Sequence, residues 1–407
     1  MNIRTYILRK FNSFKIYKNL YQENPSYALS IFKKRLLKIS YPFLLIPILP
    51  ILLPLIVILR LINPLFSIRM GNLESEGIGH FSLPVEIYLN ELDLGIHRNK
   101  RTIDLWYLDK VICNKALLNK WKVHLIILPR FILKPFHILS GYIPGKKLNE
   151  IPFRRLADSG YAKAKTPNPW QSIDIHDVIS KTSPRITFSR EQIDECESIL
   201  ENAGFDLSTK FVCISVRDPA YHNDSSLSSH RNTSINDYLD TFTYLNSLGY
   251  EVVRMGAKVT EELHNNSGVF DYAMSGVRTD LLDLFLISRC SFYIGTGSGL
   301  DMVCSLFRKM AVFINFSQLG TIPEISYNSL VLFRKMKIKN KILTLDEIFS
   351  NEYESYTKGS DFQKAGISFV DNSMGEIRAI LLEAHERVLG IWNTSDEEIK
   401  QKKFMKQ

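Results

Sequence analysis

The residues best suited to chemistry are Gly295, Thr296, Gly297, Ser298, Gly299 and Leu300, which follow the apolar run 291–294 and precede Asp301 to Lys309. Small residues between two apolar segments read as a strand, a tight turn and a helix start. N–H groups left unpaired at a helix start bind anions, and glycines let a ligand approach the backbone. The spacing G-x-G-x-G is neither the dinucleotide fingerprint nor a Walker A loop, because no Lys-Ser/Thr pair follows and Asn315 stands where a ribose-binding acid is expected. The turn also lies about three-quarters of the way along the 407 residues, whereas dinucleotide enzymes carry theirs in the first strand–helix unit. Such turns are common in parallel sheets, so other groups must converge on this one before it is a site.

The elements that would bring them together alternate in type. In the second half, 210–216 reads as a buried strand ending at Arg217 and Asp218, and 234–249 as a helix with Ser234 as N-cap and Gly249 as its stop. A strand over 250–256 ends in Arg254, Met255 and Gly256, a helix over 280–289 feeds the strand of the turn, and 310–315 is one more strand. Strands alternating with helices predict a parallel sheet covered on both faces. A last helix spans 373–390. In the first half, 65–69 reads as a strand, 70–80 as a glycine-rich loop ending in Gly77, Ile78, Gly79 and His80, and 81–92 as a helix carrying Glu86. Residues 101–108 and 121–128 read as further strands, and the proline-bearing stretch 159–184 as a long connection.

Length and composition set the frame. A chain of this size exceeds one core, so two domains are expected. Five scattered cysteines form no C-x-x-C, and the nine histidines no metal motif, so neither a disulfide framework nor a metal cluster is implied. The net charge of +9 is uneven: residues 1–38 hold nine Lys and Arg against Glu23 alone, and the remainder is near neutral. A neutral body with a basic arm does not read as a nucleic-acid binder. Residues 39–59 carry no charge, enough to span a hydrocarbon core, but Pro42, Pro47, Pro50 and Pro54 interrupt them. The expected anchor over 39–63 is therefore a helix or a re-entrant hairpin, and the second keeps arm and body on one side of the membrane.

Read in order, Arg217-Asp-Pro, Arg231-Asn232, 253–256, 270–273, Asp283-Leu284, the 296–300 turn and 370–373 with Glu376, Ile377 and Glu383 resemble a family of bacterial surface-carbohydrate glycosyltransferases of GT-B type. The likeness covers about residues 205–392 well and 66–90 more loosely. It implies an α/β protein, two Rossmann-like domains facing across a cleft, after the N-terminal anchor. The segments are then a basic arm (1–38), the anchor (39–63), an acceptor domain (64–205), a donor-nucleotide domain (206–372) and a C-terminal helix with charged tail (373–407). The resemblance implies metal-independent hexosyl or related sugar transfer, with no cofactor beyond a nucleotide-sugar donor. The acceptor would be a lipid-linked or other glycan, at the cytoplasmic side of the bacterial inner membrane.

Under this resemblance Arg217 and Arg231 fork onto phosphate, joined by Arg254, Gly256, Gly295, Thr296, Gly297, Ser298 and Gly299, and Glu324 accepts from a ribose hydroxyl. His80 is the candidate general base, with Glu86 the next, since a histidine titrates near neutrality. Asp271 and Tyr272 cap a turn or pack near the base, and His222 and His230 are donor-side polar groups. Two other classes share the pattern: a sugar-nucleotide epimerase, which needs no anchor, and a non-catalytic membrane-attached nucleotide-sugar-binding module.

Overall fold

The computed structural model describes residues 45–97, 101–152, 174–219, 229–264, 268–324 and 328–393, with Leu29 alone before them. The basic arm and the charged tail lie otherwise outside these residues. In chain order the elements used below are α1 (Leu49–Ile62), β1 (Phe66–Leu73), α2 (Ile78–Asp93), β2 (Arg101–Leu108), α3 (Lys115–Trp121), β3 (Ile126–Ile127) and α4 (Arg130–Ser140). They continue as α5 (Arg190–Asn202), β4 (Phe211–Ser215), α6 (Leu239–Ser247), β5 (Glu251–Arg254), β6 (Val269–Phe270), α7 (Asp280–Arg289), β7 (Tyr293–Gly295) and β8 (Ala311–Phe316). The last are β9 (Ser329–Phe333), β10 (Lys335–Ile338), β11 (Lys341–Ile342), β12 (Ile367–Val370) and α8 (Met374–Leu389).

Contacts divide the chain into two compact units. The first comprises Met1–Asn72, Lys100–Tyr107 and Ile126–Ile151, and the second Leu73–Asn99, Leu108–Leu125 and Pro152–Gln407. The first unit holds most of the three-stranded sheet β1-β2-β3, in which β2 and β3 run parallel. Gly71 lies hard against Trp106 there: a Cβ at this position would stand 2.9 Å from the indole ring and from Ile151. α4 packs on α1 through Leu139 and Phe136 against Ile56 and Leu52.

Of the two forms expected for the anchor, the described residues 45–63 do not adopt the membrane-spanning helix. α1 has 14 residues, about 21 Å at 1.5 Å per residue, against a hydrocarbon core of about 30 Å. Among the described residues no helix is long and apolar enough to cross a membrane. The prolines account for the shortening. Pro47 sits in the 3-10 turn Ile46–Ile48, Pro50 opens α1 and Pro54 lies inside it, and each lacks the N–H that would extend a regular ladder.

The second unit is built on a six-stranded sheet in the order β6-β5-β4-β7-β8-β9, parallel at every pairing. Its central strands β4, β7 and β8 are buried on both faces, whereas the edge strands β6 and β9 are mostly half-buried. One face packs Val212, Ile214, Val252, Ile294 and Val312 against Phe242 and Leu245 of α6 and Ile377, Leu381 and Ala384 of α8. The chain runs outward from β4 to β6, then returns to β7 beside β4 and runs outward again to β9. The reversal leaves a crevice at the carboxyl ends of β4 and β7, where Ser215 is registered against Gly295. Open parallel sheets bind ligands at such a switch point.

Helix α7 keeps the expected bounds, and α8 has the expected caps: Ser373 in a capping box with Glu376, and Gly390 in the left-handed region. The helix expected over 234–249 opens with a 3-10 turn, Ile235–Tyr238, before α6, and three other segments differ from expectation. The glycine-rich loop ends at Gly77, because β1 extends through Leu73 and α2 begins at Ile78, so His80 stands in a helical first turn. The strand expected over 121–128 shrinks to Ile126 and Ile127, since the Asn114 side chain caps α3 by accepting from the Leu117 N–H at 2.7 Å. The helix after the 295–299 turn is a 3-10 run, Leu300–Phe307.

A reciprocal asparagine clasp joins β8 to the start of α8. The Asn315 N–H donates to Asn372 Oδ1 and the Asn372 N–H to Asn315 Oδ1, both at 2.7 Å, while Asn372 Nδ2 reaches the Phe333 carbonyl. Asn315 adopts φ +51, where the register between β8 and β9 shifts, a conformation asparagine tolerates better than most residues. Asn372→Ala leaves a buried amide unpaired and should lower stability by about 1–3 kcal/mol, read as a reduced urea midpoint at unchanged m-value.

Candidate functional site

An open cleft of about 340 Å³ occupies the crevice, and all of its lining residues belong to the second unit. At its floor is the buried Asp301. The N–H groups of Gly297 and Ser298 donate to Oδ2 at 3.0 and 2.6 Å, and the hydroxyls of Ser298 and Ser215 donate to Oδ1 at 2.7 and 2.9 Å. Burial pushes the Asp301 carboxyl up, and these donors pull it back. Gly295 has no alternative here, since a Cβ would stand 2.5 Å from the Asp301 Cγ, and Gly297 holds φ +93.

This arrangement corrects the expected phosphate cradle. The amides of Gly297 and Ser298 are taken by Asp301, so they are not the anion donors read from the sequence. Gly297, Ser298 and Gly299 still line the cleft, while Gly295 and Thr296 are buried beneath it. Thr296 Oγ1 accepts from the Arg217 N–H at 3.0 Å. Arg231 reaches over the turn, donating to the Gly297 carbonyl at 3.3 Å and to Gln318 Oε1 at 3.2 Å. Both arginines therefore border the cleft, fixed to the turn from opposite ends.

The first turn of α2 forms the facing wall. A Cβ on Gly79 would lie 3.1 Å from Gly299 Cα, and one on Gly299 would lie 3.1 Å from Gly79 N, so the two backbones touch. His80, Leu83 and Pro84 extend this wall. Desolvation in the cleft lowers the His80 pKa below its ordinary 6.5, which leaves a neutral imidazole at pH 7.

Glu86 and Arg254 sit elsewhere. Glu86 is fully buried in α2, and its Oε1 accepts from Arg308 at 2.9 Å and from Asn90 at 3.2 Å. It is a structural ion pair outside the cleft lining, and the candidate-base reading of Glu86 is withdrawn. Arg254, 3% exposed, donates to Asp271 at 2.9 Å and to the Glu261 carbonyl at 2.7 Å, bracing the end of β5, while Gly256 does line the cleft. Tyr272 is buried and donates to Asp283 at 3.0 Å. Glu324 ends the 3-10 turn Leu319–Glu324, but its side chain, like all of His222, lies outside the described residues.

The sequence reading missed Lys258 and Arg278, both in the cleft lining. Lys258 lies two residues beyond Gly256, so the strand end already noted held the signal. Arg278 precedes the Thr279 N-cap of α7 and donates to Asp283 at 2.5 Å, a placement visible only once α7 meets the cleft. Asp218 turns to the Thr260 N–H at 2.9 Å. With Arg217, Arg231, Lys258 and Arg278 against Asp218 and Asp283, the lining is net cationic and suits an anionic ligand. Cys113 also lines it, but burial pushes its thiol up to about 12, so it is no nucleophile at neutral pH.

His230 lies behind the arginines rather than in the cleft lining. Its ring packs on Phe362 and Phe369 with centroids 5.0 and 6.1 Å away, and neither ring nitrogen has a hydrogen-bond partner among the described residues. Burial, then Arg231, Arg217 and Arg334, lower its pKa from 6.5 to about 4. Between those values the unfolded chain binds a proton that the folded chain does not, so stability rises with pH across that window. Acidification from pH 7 to pH 4 should cost about 2–3 kcal/mol through this group, after discounting for solvent screening. His230→Gln should flatten that part of a urea stability profile, and an unchanged slope would show that the ring protonates freely.

No family model matches the sequence, and no curated protein matches it. Among solved structures the chain is similar to the E. coli ADP-heptose lps heptosyltransferase II, at 12% identity over 71% of this chain and 98% of that one, with a TM-score of 0.39. It is also similar to a glycosyl transferase family 9 protein from Veillonella parvula, at 9% identity over 74% of this chain and 95% of that one, with a TM-score of 0.36. A third is the iron-containing dodecameric heptosyltransferase TibC of enterotoxigenic E. coli, in complex with ADP-D-beta-D-heptose, at 12% identity over 79% and 77% and a TM-score of 0.38. Overlaps of this size leave the function to be read from the cleft.

Proposed function

We propose that the chain is a GT-B type glycosyltransferase that moves a sugar from a nucleotide-sugar donor to a glycan acceptor carried on a membrane lipid. The observation that carries this reading is the convergence at the β4/β7 switch point of Arg217, Arg231 and the Gly297–Gly299 turn on one wall and a neutral His80 on the other. A nucleotide sugar brings phosphates, and the two guanidiniums offer forked donors to them. As the acceptor hydroxyl attacks the anomeric carbon, the bond from that carbon to the phosphate oxygen breaks and the nucleotide leaves with the electron pair. Arg217 and Arg231 stabilise that developing charge, and an imidazole nitrogen of His80 takes the hydroxyl proton. Lys258 and Arg278 add positive charge to the same lining. Attachment to the cytoplasmic face of a bacterial inner membrane, through residues 1–38 and the apolar α1, would bring a lipid-linked acceptor to the enzyme.

Thermal unfolding with ADP, UDP, GDP and CMP tests the donor class, since a nucleotide at one hundred times its Kd adds about 2.7 kcal/mol. Arg217→Ala should weaken that stabilisation and lower turnover by about 100-fold or more. His80→Ala should lower transfer while sparing nucleotide affinity, and turnover should persist in EDTA if the arginines meet the leaving-group charge. No stabilisation by any nucleotide would sink the reading.

A further inference from the structure

In the first unit α1 is apolar around nearly its whole circumference. Ile56 alone of its side chains is buried, whereas Ile51, Leu55, Ile58 and Leu61 are exposed, Leu61 to 73%. A helix apolar all round belongs in a core or in lipid, not on a wet surface. Its neighbour α4 also exposes apolar side chains: Phe131 and Ile132, in its first turn, are 79% and 56% exposed. The turn that follows α4 is bound tightly to α1. Arg60 donates to the carbonyls of Ser140, at 3.1 Å, and of Gly145, while Asn63 donates to the Leu148 carbonyl at 3.0 Å. Gly145 makes that turn possible with φ +88. α1, α4 and residues 141–148 are thus joined by packing and hydrogen bonds into one substructure.

The charges around this body have one sign preference. Lys146 and Lys147 are exposed in the turn, with only Glu150 near, 3.5 Å from Lys146. Residues 1–38, which lead into α1, carry nine basic side chains against one acid. Exposed apolar side chains beside basic ones fit the headgroup region of an anionic bilayer. α1 is too short to span, but an in-plane helix needs only a lipid-facing side.

From these observations we infer that α4 and the 141–148 turn form a second membrane contact, in which Phe131 and Ile132 enter the same leaflet as α1 and Lys146 and Lys147 meet anionic headgroups. This rests on the membrane attachment proposed above and adds an insertion point outside residues 1–62.

The test uses the full chain with vesicles of phosphatidylcholine and phosphatidylglycerol, and of phosphatidylcholine alone. Phe131→Trp places a reporter at an exposed site, and its emission is taken as the difference from wild type. On the anionic vesicles that emission should shift to the blue and be quenched by brominated lipid. Phe131→Ser with Ile132→Ser should lower partition by about tenfold or more, the loss expected for two apolar side chains leaving lipid. Lys146→Glu with Lys147→Glu should reduce the preference for anionic vesicles. Unquenched emission from protein that co-sediments with vesicles would overturn the second contact while leaving attachment through α1 intact. Failure of the full chain to sediment with either vesicle would overturn both. A lipid-free dimer of the wild type that the double serine variant abolishes would assign this face to a second copy and overturn the inference.

Discussion

The buried carboxylate of Asp301 is the constraint on which the cleft depends. A charge withdrawn from water must be hydrogen-bonded or neutralised, and here two amides and two hydroxyls converge on it from the turn and from β4. Those bonds hold Gly297 and Ser298 in place and join the ends of β4 and β7. From that fixed turn Thr296 anchors the Arg217 backbone, and the Gly297 carbonyl anchors the Arg231 guanidinium. The Arg217 backbone and the Arg231 guanidinium, both at the cleft, are thereby held by a turn that a group outside the lining fixes. A rigid, pre-satisfied turn is the kind of support that keeps a site organised before substrate arrives.

A buried ion pair supports the opposite wall. Arg308, in the left-handed region at the close of the 3-10 run, donates to Glu86 in α2 and to Thr182. Removing one partner of such a pair typically costs about 3–5 kcal/mol, because the other charge is left uncompensated. Its effect is to hold α2 against residues 300–307, which sets Gly79 against Gly299. Asp301 fixes the turn from below, and Glu86 with Arg308 fixes what faces it.

Much of this was legible in the sequence because the second half repeats one pattern, an apolar strand and then a capped helix. The bounds of α7 and the caps of α8 follow from Thr279, Ser373, Glu376 and Gly390, whose side chains or backbones act within a few residues of themselves. What escaped was non-local. Nothing near Asp301 in sequence says that its carboxylate would claim the amides read as phosphate donors. Glu86 reads as a candidate base only under the resemblance, and the partner that makes it structural lies 222 residues away. Arg278 precedes α7 and matters only through the order of strands, whereas Lys258 lies two residues beyond a strand end the sequence already marks. The antiparallel sheet β11-β10-β12, with Met336, Phe362 and Ile367 at its core, was not foreseen either, since its strands are two to four residues long.

The contact between Gly79 and Gly299 also bears on how the protein is made. Its two sides are separated by more than half of the chain, so one wall of the cleft leaves the ribosome long before the other exists. At ordinary synthesis rates that interval is about 10–40 s. Throughout it, the side of α2 that packs on residues 300–307 lacks its partner, although Trp121, Val178 and Ile179, which meet Phe81, Leu83 and Ile87, emerge earlier, and long-range closure of this kind is entropically slow. Until residues 300–307 emerge, that side of α2 stays uncovered and this wall of the cleft is incomplete.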